Sequence, residues 1–425
     1  MQGDPRSHGL WEKTARPAPV TAPLEAETLA EVVVIGGGYT GLSTALHLAE
    51  RGTDVVLLEA VEIGYGGAGR NVGLVNAGMW VMPDALVDTL GAVRGERLID
   101  FLGEGPAHVW DIIERYGIDC EATRAGTLHV AADRTGLAEL QQRHEQWARR
   151  GAPVQLLDAG AAAERLGTSR YHGALLDARA GTIQPLAYAR GLADAAIGRG
   201  ARIFTGSPAT ELRSHDGGWR VVTPQGAVTA GKVVFATDAY TRHLMPEIRT
   251  QQVFLPYFNL ATAPLPDDVA RTILPNREGA WDTREVLTSF RMDRGNRLVF
   301  GSVGALRHGG QAIHRAWARR ALKRTFPQIG RAEFEAEWYG TIGMTSDNLP
   351  RFHQLAEGVV TFCGYNGRGI APGTAFGRCL AGWLTGGNTE LPLQPTPPQP
   401  ASLRALRSAY YEAGAQAYHL VDARG

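Results

Sequence analysis

The first residues with recognisable chemistry are three glycines, Gly36, Gly38 and Gly41, in the spacing G-x-G-x-x-G. In this spacing the first glycine permits a tight turn, the second lets backbone approach a pyrophosphate, and the third lets a helix pack closely on a strand. The start of that helix offers unpaired amides and a positive dipole to phosphate oxygens. A purely structural turn is the alternative in a glycine-rich chain, but the flanking strand and helix patterns favour phosphate binding.

A single carboxylate, Glu59, stands at the end of the next apolar run, "TDVVLLEA". A carboxylate roughly 20 residues beyond such a glycine turn accepts hydrogen bonds from a ribose diol and repels a 2′-phosphate. The two features together predict an adenine dinucleotide without a 2′-phosphate. NAD and FAD both satisfy that description.

A second glycine patch, "EIGYGGAGRNVGLVNAG" at residues 62–78, bears on that choice. A nicotinamide-dependent dehydrogenase normally continues into another strand–helix unit. This segment instead carries Arg70 and Asn71 among glycines, which suits backbone packing against a large flat ring. A mobile surface loop would not explain the apolar residues at 72–75, so the patch favours FAD.

The elements that must position these residues follow from the residue pattern. "EVVVIG" is a β-branched run typical of a buried parallel strand, and "YTGLSTALHLAERG" has helical apolar spacing and ends at a glycine. With "TDVVLLEA" they predict a strand–helix–strand unit. Helices are also predicted at 131–150 and 186–200, and strands in "WRVVTPQGAVTAGKVVFAT", "RLVFGSVG" and "GVVTFCGYNG".

Composition limits the class of protein. Lys plus Arg and Asp plus Glu are 43 each in 425 residues, so no net field attracts nucleic acid or an acidic membrane. The N-terminus has no apolar signal segment, and no apolar run approaches the roughly 20 residues of a membrane-spanning helix. Cys120, Cys363 and Cys379 lack disulfide or metal-ligand spacing. We expect a cytoplasmic protein with no metal, nucleic-acid or membrane partner.

Longer segments resemble a known family. They are "HGLWEKTARPAP", "GYGGAGRNVG", "GTIQPLAYARGLADAAIGRGARIFTGSPATEL", "VVFATDAYT", "MTSDNLP" and "GYNGRGIAPGTAFGRCLAGWLTG". These segments resemble the FAD-dependent amine and amino-acid oxidoreductases that include D-amino-acid oxidase, glycine oxidase and sarcosine oxidase. The resemblance is strongest to the gamma-glutamylputrescine oxidoreductase branch. Ala68, Val72 and Asp238 depart from that branch, which has serine, glycine and asparagine there.

The resemblance implies an α/β (α+β) fold with a Rossmann-like FAD-binding domain interleaved with an antiparallel-sheet substrate domain. The FAD-binding domain would comprise residues 28–85, 181–240 and 336–390. The substrate domain would comprise 86–180 and 241–335, and the active site would lie where the two meet. Residues 1–27 would form a surface arm, and 391–425 a Pro-rich linker and C-terminal helix.

The resemblance also implies the FAD contacts. The expected set is Gly36, Gly38, Tyr39, Thr40, Gly41, Glu59, Ala60, Gly69, Arg70, Asn71, Val72, Gly73, Ala209, Ala236, Thr237, Gly364, Asn366, Gly367, Arg368, Gly369 and Ile370. A helix beginning after "NGRGI" would direct its amides at the flavin N1 and C2=O, where negative charge gathers on reduction. Arg368 would be a catalytic residue that helps to stabilise that negative charge. The alternative is that Arg368 is a solvated residue of a turn.

The expected substrate contacts include a departure from relatives. An arginine in a G-L-R-P-x-T-x-D pattern grips the α-carboxylate in the family's amino-acid oxidases, and in "GTIGMTSD" that position is Ile342. Without a bidentate fork an α-carboxylate is badly held, which favours an amine, or a carboxylate held elsewhere by Arg291 or Arg368. Tyr257 and Phe258 would form an aromatic wall around the amine; the alternative is an ordinary core strand.

The expected attachment of FAD is non-covalent. Sarcosine oxidases that resemble this chain tether FAD through a cysteine upstream of the same aspartate, and "EWYGTIGMTSD" contains none. Cys363 ends an apolar strand and is expected to be a core thiol.

The expected reaction is oxidation of an amine C–N bond by hydride transfer to flavin N5, followed by imine hydrolysis and reoxidation by dioxygen. The expected partners are a gamma-glutamylputrescine-like or other primary or secondary amine, and dioxygen or another electron acceptor. Arg297 falls where relatives carry a lysine that assists reoxidation, and no general base is assigned. The alternatives are an amino-acid oxidase or dehydrogenase of the same fold, a non-catalytic flavin-binding protein and a nicotinamide-dependent enzyme.

Overall fold

The computed structural model describes residues 8–387 and 390–422. The strands of the described chain are β1 Glu27–Ile35, β2 Val55–Leu58, β3 Leu74–Val75, β4 Thr127–Val130, β5 Val154–Leu157, β6 Ala174–Asp177, β7 Gly181–Thr182, β8 Arg202–Phe204, β9 Glu211–His215, β10 Gly218–Val222, β11 Ala227–Phe235, β12 Val253–Thr262, β13 Gly279–Asp282, β14 Thr288–Met292, β15 Leu298–Val303, β16 Phe334–Met344, β17 Arg351–Ala356 and β18 Val359–Cys363.

The helices lie between groups of these strands along the chain. They are α1 Leu10–Thr14, α2 Tyr39–Ala49, α3 Pro83–Leu90, α4 Ala92–Gly103, α5 Gly105–Tyr116, α6 Arg134–Ala148, α7 Ala159–Leu166, α8 Pro185–Gly198, α9 Pro246–Thr250, α10 Asp267–Ala270, α11 Gly310–Thr325, α12 Ile370–Leu384 and α13 Arg404–Val421. Short 3-10 turns occur at Gly67–Gly69, Asp238–Tyr240 and Pro327–Ile329.

A largely parallel sheet is built around β1. Its strand order is β17-β18-β11-β1-β2-β8, and β1 runs parallel to both β11 and β2. The hairpin β9–β10 and strand β17 pair antiparallel at its margins. The end of β1, residues 32–35, is buried without interruption, as interior parallel strands require. The predicted strand–helix–strand unit, β1–α2–β2, is confirmed.

One face of this sheet is covered by α2, α8 and α12. Every residue of α2 is buried, so this helix packs on the sheet on one side and on neighbouring helices on the other. Close approach of α12 depends on Gly377, where an added Cβ would lie 2.6 Å from the Ser43 Cβ. The Ser43 hydroxyl also donates to the Thr374 carbonyl at 2.7 Å. These contacts fix α2 against α12 close to the glycine loop.

The second sheet has the order β16-β12-β15-β14-β13-β4-β6-β5. Its neighbours are antiparallel except β13 and β4, which are parallel. One face packs on α11 through a separate core that includes Phe258, Phe290, Phe300 and Trp317. Two sheets with separate cores agree with the expected mixed α/β architecture.

The predicted domain limits differ from the sheet membership at two places. Strand β16 pairs with β12 in the second sheet, although residues from 336 onward were predicted to belong to the FAD-binding domain. Helices α4 and α5, predicted in the substrate domain, contribute to the same core as α2 and α12. An apolar helix face does not reveal in the sequence which of two cores it joins. The interleaved division itself stays a prediction.

The N-terminal segment is inserted into the fold and does not merely cover its surface. Leu10 and Trp11 of α1 are buried, and the Trp11 ring meets Trp338 edge-on at 5.4 Å between centroids. The Trp11 indole also donates to the Asn71 carbonyl at 2.8 Å. Of the predicted arm, 1–7 lie outside the described residues, as do 388–389 and 423–425 of the predicted C-terminal parts.

The C-terminal helix α13 was predicted after the proline-rich segment, and the structure places it at residues 404–421. It packs on α11 and β12, where His419 is fully buried. Among the described helices, none has both the length and the apolar character that crossing a bilayer demands.

Candidate active site

A cavity of about 1000 Å³ is lined by residues of both sheets. It brings together seventeen of the predicted FAD contacts: Gly36, Gly38, Tyr39, Thr40, Glu59, Ala60, Arg70, Asn71, Val72, Ala209, Ala236, Thr237, Asn366, Gly367, Arg368, Gly369 and Ile370. These residues come from six separate stretches of sequence. The cavity therefore collects at one place what the motifs indicated separately.

The glycine loop leaves its amides open to this cavity. Gly38 is the N-cap of α2, with no side-chain hydrogen bond to the cap and no acidic residue in the first turn. A Cβ added at Gly38 would meet its nearest atom only at 3.9 Å, whereas at Gly36 it would lie 2.7 Å from the Ala236 carbonyl oxygen. The loop is therefore tight where it turns and open where phosphate oxygens would approach, which fits a pyrophosphate.

Glu59 is fixed at the end of β2 by backbone amides. Its carboxylate accepts hydrogen bonds from the amides of Gly37 at 2.7 Å and Val61 at 3.0 Å. Burial raises the pKa of Glu59, while these amides act in the opposite direction. An acceptor held rigidly on the cavity wall suits a ribose diol.

Four predicted FAD contacts do not line the cavity: Gly41, Gly69, Gly73 and Gly364. Each instead lies where a side chain would strike another part of the fold. An added Cβ would lie 2.0 Å from the Gly36 oxygen at Gly41 and 2.1 Å from the Ile183 oxygen at Gly73. The glycine spacing singled out Gly41 and the family resemblance the other three, and in the structure all four allow close packing behind the cavity wall.

The segment around Arg70 forms a rigid wall. The Arg70 carbonyl accepts hydrogen bonds from the Trp338 indole at 3.0 Å and the Asn259 amide at 3.1 Å. The Asn71 side chain accepts from the Gly73 amide at 2.8 Å. The loop 365–370 borders the same cavity, and Asn366 holds it by accepting from the Thr345 amide at 2.8 Å. The cavity is thus bordered by two segments of rigidly held backbone, which suits the binding of a planar ring system.

The second sheet contributes the opposite wall. The Tyr257 hydroxyl lies 2.6 Å from the Ser289 hydroxyl, and both residues line the cavity together with Ile342. Phe258 does not line it, because adjacent residues of a strand face opposite sides of the sheet. The Phe258 ring stacks on His314 in the core behind the sheet at 4.8 Å. The predicted aromatic wall is therefore wrong for Phe258.

Two predicted arginines are also absent from the cavity wall. Arg291 is buried beneath the N-terminal segment, where it donates to the Ile183 carbonyl and lies over the Trp11 ring. Arg297 lies near the β14–β15 turn and is engaged by Glu335 at 2.7 Å and Asp293 at 3.4 Å. Both guanidinium groups are committed to structural contacts, so neither substrate binding nor reoxidation can be assigned to them.

Several lining residues escaped the sequence reasoning. They are Tyr65, Trp80, His129, Arg143, Tyr240, Trp281, Asp282 and Ser289. Trp281 and His129 are register partners on the parallel pair β13–β4, and their rings stack at 4.8 Å. Burial lowers the pKa of His129 well below its usual value, so its imidazole is neutral. No local sequence pattern indicates that such distant segments pair. A signal was available for Trp80, which lies just beyond the glycine patch.

None of the chain's three cysteines lines the cavity. Cys120, Cys363 and Cys379 are buried and free, and burial raises the pKa of Cys120 to about 12. A protonated core thiol is a poor nucleophile. The cavity thus offers no cysteine to tether a flavin, in agreement with the expected non-covalent attachment.

Asp238, which departs from the branch's asparagine, supplies a testable prediction. It adopts a left-handed φ of +39°, and its Oδ1 accepts from the Gly364 amide at 2.7 Å and the Gln252 amide at 3.2 Å. Burial raises the pKa of this carboxyl. The folded state therefore holds a proton that the unfolded state releases, and the free energy of unfolding falls as pH rises above about 4.

We expect Asp238→Asn to raise the free energy of unfolding near pH 7 by about 1 kcal/mol, because an amide oxygen keeps both hydrogen bonds without the charge. Thermal and urea unfolding at several pH values would measure this gain, which should vanish below about pH 4. Asp216→Asn is the matched control, since Asp216 also has positive φ but its side chain is 91% exposed. A less stable Asp238→Asn protein near neutral pH contradicts the prediction.

Comparison with known proteins gives the family. Residues 31–383 match the family described as "DAO: FAD dependent oxidoreductase". The gamma-glutamylputrescine oxidoreductase of Escherichia coli (strain K12) is 35% identical over 93% of both chains. The probable oxidoreductase OrdL of Rhizobium meliloti (strain 1021) is 31% identical over 91% of this chain and 90% of its own.

Among solved structures, glycine oxidase from Geobacillus kaustophilus superposes with a TM-score of 0.69 at 23% identity, covering 86% of this chain and 96% of that one. This likeness concerns the fold. The match to the family extends over both sheets and every stretch that borders the cavity. The chain belongs to the DAO family of FAD-dependent oxidoreductases.

Proposed function

We propose that this protein oxidises the C–N bond of an amine with FAD as the bound oxidant. The observation that carries the proposal is the cavity, which joins a dinucleotide cradle to an apolar and aromatic wall from a second sheet. The relative at 35% identity is named gamma-glutamylputrescine oxidoreductase, which supports an amine substrate. The same proposal includes reoxidation of the flavin by dioxygen or another electron acceptor. It also includes a cytoplasmic location.

When bound, FAD supplies the capacity to accept a hydride from the carbon that bears the amine nitrogen. The chain's task is to hold that cofactor. In this proposal the first-turn amides of α2 bind the pyrophosphate, Glu59 binds the ribose, and Ala209 offers backbone to the adenine. The open N-terminus of α12, whose cap Gly369 has no side-chain hydrogen bond, directs amides at the pyrimidine edge.

The wall opposite the cofactor would orient the substrate. Ile342 lines the cavity and approaches Gly367, where an added Cβ would lie 3.2 Å from its side chain. An aliphatic side chain offers no donor to a carboxylate, which favours a reacting carbon that bears none. Burial raises the pKa of Tyr257, so its phenol stays neutral and can exchange hydrogen bonds with Ser289 and the amine nitrogen.

The experiment that tests this proposal is anaerobic mixing of the FAD-loaded protein with primary amines, secondary amines and α-amino acids. We expect amines, gamma-glutamylputrescine included, to abolish the visible flavin absorbance, and α-amino acids to leave it. Admission of air then separates an oxidase, whose colour returns, from a dehydrogenase. A yellow protein that no amine bleaches would contradict the proposal, and bleaching by α-amino acids alone would contradict the argument from Ile342.

A further inference from the structure

One corner of the cavity holds a guanidinium that forms no ion pair with any described residue. Arg368 lines the cavity with only 9% of its surface exposed. Among residues 8–387 and 390–422, no carboxylate lies within ion-pair distance of its guanidinium, and its Nε has no hydrogen-bond partner. Within the described chain its guanidinium donates one long hydrogen bond, from Nη1 to the Ala77 carbonyl at 3.4 Å.

Two indole rings hold this guanidinium. The Arg368 Cζ lies 4.3 Å from the Trp80 ring centre and 5.1 Å from that of Trp281. The Trp80 indole is itself anchored, because it donates to the Asn366 carbonyl at 2.6 Å. Contacts between a cation and an aromatic ring are worth about 0.5–2 kcal/mol each, whereas a buried unpaired ion costs several kcal/mol. The rings fix the arginine without fully offsetting its charge.

The neighbouring charges leave the corner positive. Arg143 also lines the cavity, but it is engaged by Glu139 at 3.3 Å and by the carbonyls of Met79 and Trp80. Burial, and then the charge of Arg143, lower the pKa of Arg368 to about 9. His129, stacked on Trp281, is neutral. The carboxylates of Asp177 and Glu139 also act on Arg368, but Asp177 is paired with Arg179 at 2.7 Å and Glu139 with Arg143, so an anion entering the corner would be stabilised.

Two anions compete for this arginine: the flavin ring and an acidic group of the substrate. The substrate is favoured because Trp281 and His129 belong to β13 and β4 of the second sheet, the wall opposite the glycine loop. The uncapped N-terminus of α12 already offers amides to the flavin. With aromatic rings beside it, the guanidinium presents its edge, which suits a carboxylate in bidentate geometry.

We propose that Arg368, held by Trp80 and Trp281, binds a carboxylate of the substrate and determines a preference for amines that carry an acidic group. This specificity role rests on the proposed amine oxidation. In this proposal the carboxylate is bound by an arginine of the 365–370 loop. Ile342 cannot bind it, because its side chain has no hydrogen-bond donor.

The test uses the FAD-loaded protein and two unreactive probes of equal size, butyrate and butyramide. Their binding is followed by the change in the flavin visible spectrum. We expect the wild-type protein to bind butyrate at least about tenfold more tightly than butyramide. Arg368→Met should abolish that preference and Arg368→Lys should retain part of it, while both keep FAD through gel filtration.

Arg378→Met is the matched control, because Arg378 is exposed on α12 outside the cavity and contacts half-buried His108. It should keep the wild-type preference. The proposal is overturned if wild-type protein binds both probes equally, a comparison that needs no variant, or if Arg368→Met retains the preference. Loss of FAD from Arg368→Met also overturns it, since the arginine would then serve the cofactor.

Kinetics separate this inference from the proposed function. With an amine that bears a carboxylate, Arg368→Met should raise KM about tenfold or more, and with a neutral amine it should leave KM within about twofold. Amines that bleach the flavin without any dependence on Arg368 refute the inference and leave the function standing. Butyrate binding that depends on Arg368, in a protein that no amine bleaches, refutes the function alone.

Discussion

Replacing Gly41 by alanine should yield a protein that loses FAD on purification and unfolds more easily than the wild type. Gly41 lies in the first turn of α2, and an added Cβ would lie 2.0 Å from the Gly36 oxygen and 3.2 Å from the Ala236 Cβ. The closest atoms belong to backbone, which cannot rotate away as a side chain can. Helix and loop must separate, which opens the phosphate cradle.

We expect FAD affinity to fall about tenfold to a hundredfold and the free energy of unfolding to fall by about 3 kcal/mol. The ratio of visible flavin absorbance to protein absorbance after gel filtration measures the first, and urea unfolding with excess FAD measures the second. Because bound cofactor stabilises the folded state, both measurements need a stated FAD concentration.

Gly198→Ala is the matched control, since Gly198 also lies in a helix but has no atom within 4 Å of an added Cβ. Alanine is the better helix former, so this variant should be as stable as the wild type or up to about 1 kcal/mol more stable. A Gly41→Ala protein that behaves like Gly198→Ala would show that close packing at Gly41 is dispensable.

The second large effect concerns acid stability. His314 on α11 and His419 on α13 are fully buried, and their Nδ1 atoms lie 2.8 Å apart. Burial lowers the pKa of His314 to about 4; burial and then His314 lower that of His419 to about 3. The Ser302 hydroxyl, Glu412, Asp422 and Arg320 also face this pair, but the carboxylates do not restore an ordinary pKa.

The direction of the pH dependence follows from proton binding. Unfolded histidines take up protons below about pH 6.5, whereas the folded pair excludes them until about pH 4, so stability is lost across that interval. We expect the pair to account for a loss of at least about 3 kcal/mol between about pH 7 and pH 4. Denaturant unfolding at each pH, followed by tryptophan fluorescence, measures it, since Trp317 stacks on His419 at 3.8 Å.

His419→Leu should remove about half of the loss due to the pair, whatever its effect near neutral pH. His215→Leu serves as the control, because His215 lies on β9 with a side chain 48% exposed, and it should leave the slope unchanged. The same pH slope in His419→Leu and wild type would disprove the role of the pair.

The cofactor half of the site was predictable because its signals are local. A β-branched run, a glycine turn and an acidic strand end lie within about one strand–helix–strand unit, and each has one dominant physical cause. The glycine spacing singled out Gly41 and the family resemblance Gly73, yet neither says whether a glycine faces a ligand or another backbone segment. Only the distances to Gly36 and Ile183 make that distinction.

The substrate half was less predictable because it depends on pairing between distant segments. Trp281 and His129 become neighbours only through the parallel pair β13–β4. Strand alternation, in contrast, was readable in the sequence: Tyr257 and Phe258 are adjacent, so one strand could not present both to the cavity. The roles predicted for Arg291 and Arg297 failed for a third reason. The sequence does not reveal which groups a charged side chain will contact in the folded protein.

The order in which the cavity is completed has a consequence for biosynthesis. Its lining begins at Ile35 and ends at Ile370, and the 365–370 loop, which leads from β18 to α12, is the last part of the sequence to border it. A ribosome releases the phosphate-binding loop early and the 365–370 loop late, at about 5–20 residues per second. Stable capture of FAD must therefore await translation of the 365–370 loop, so the yellow colour would report a chain synthesised at least that far.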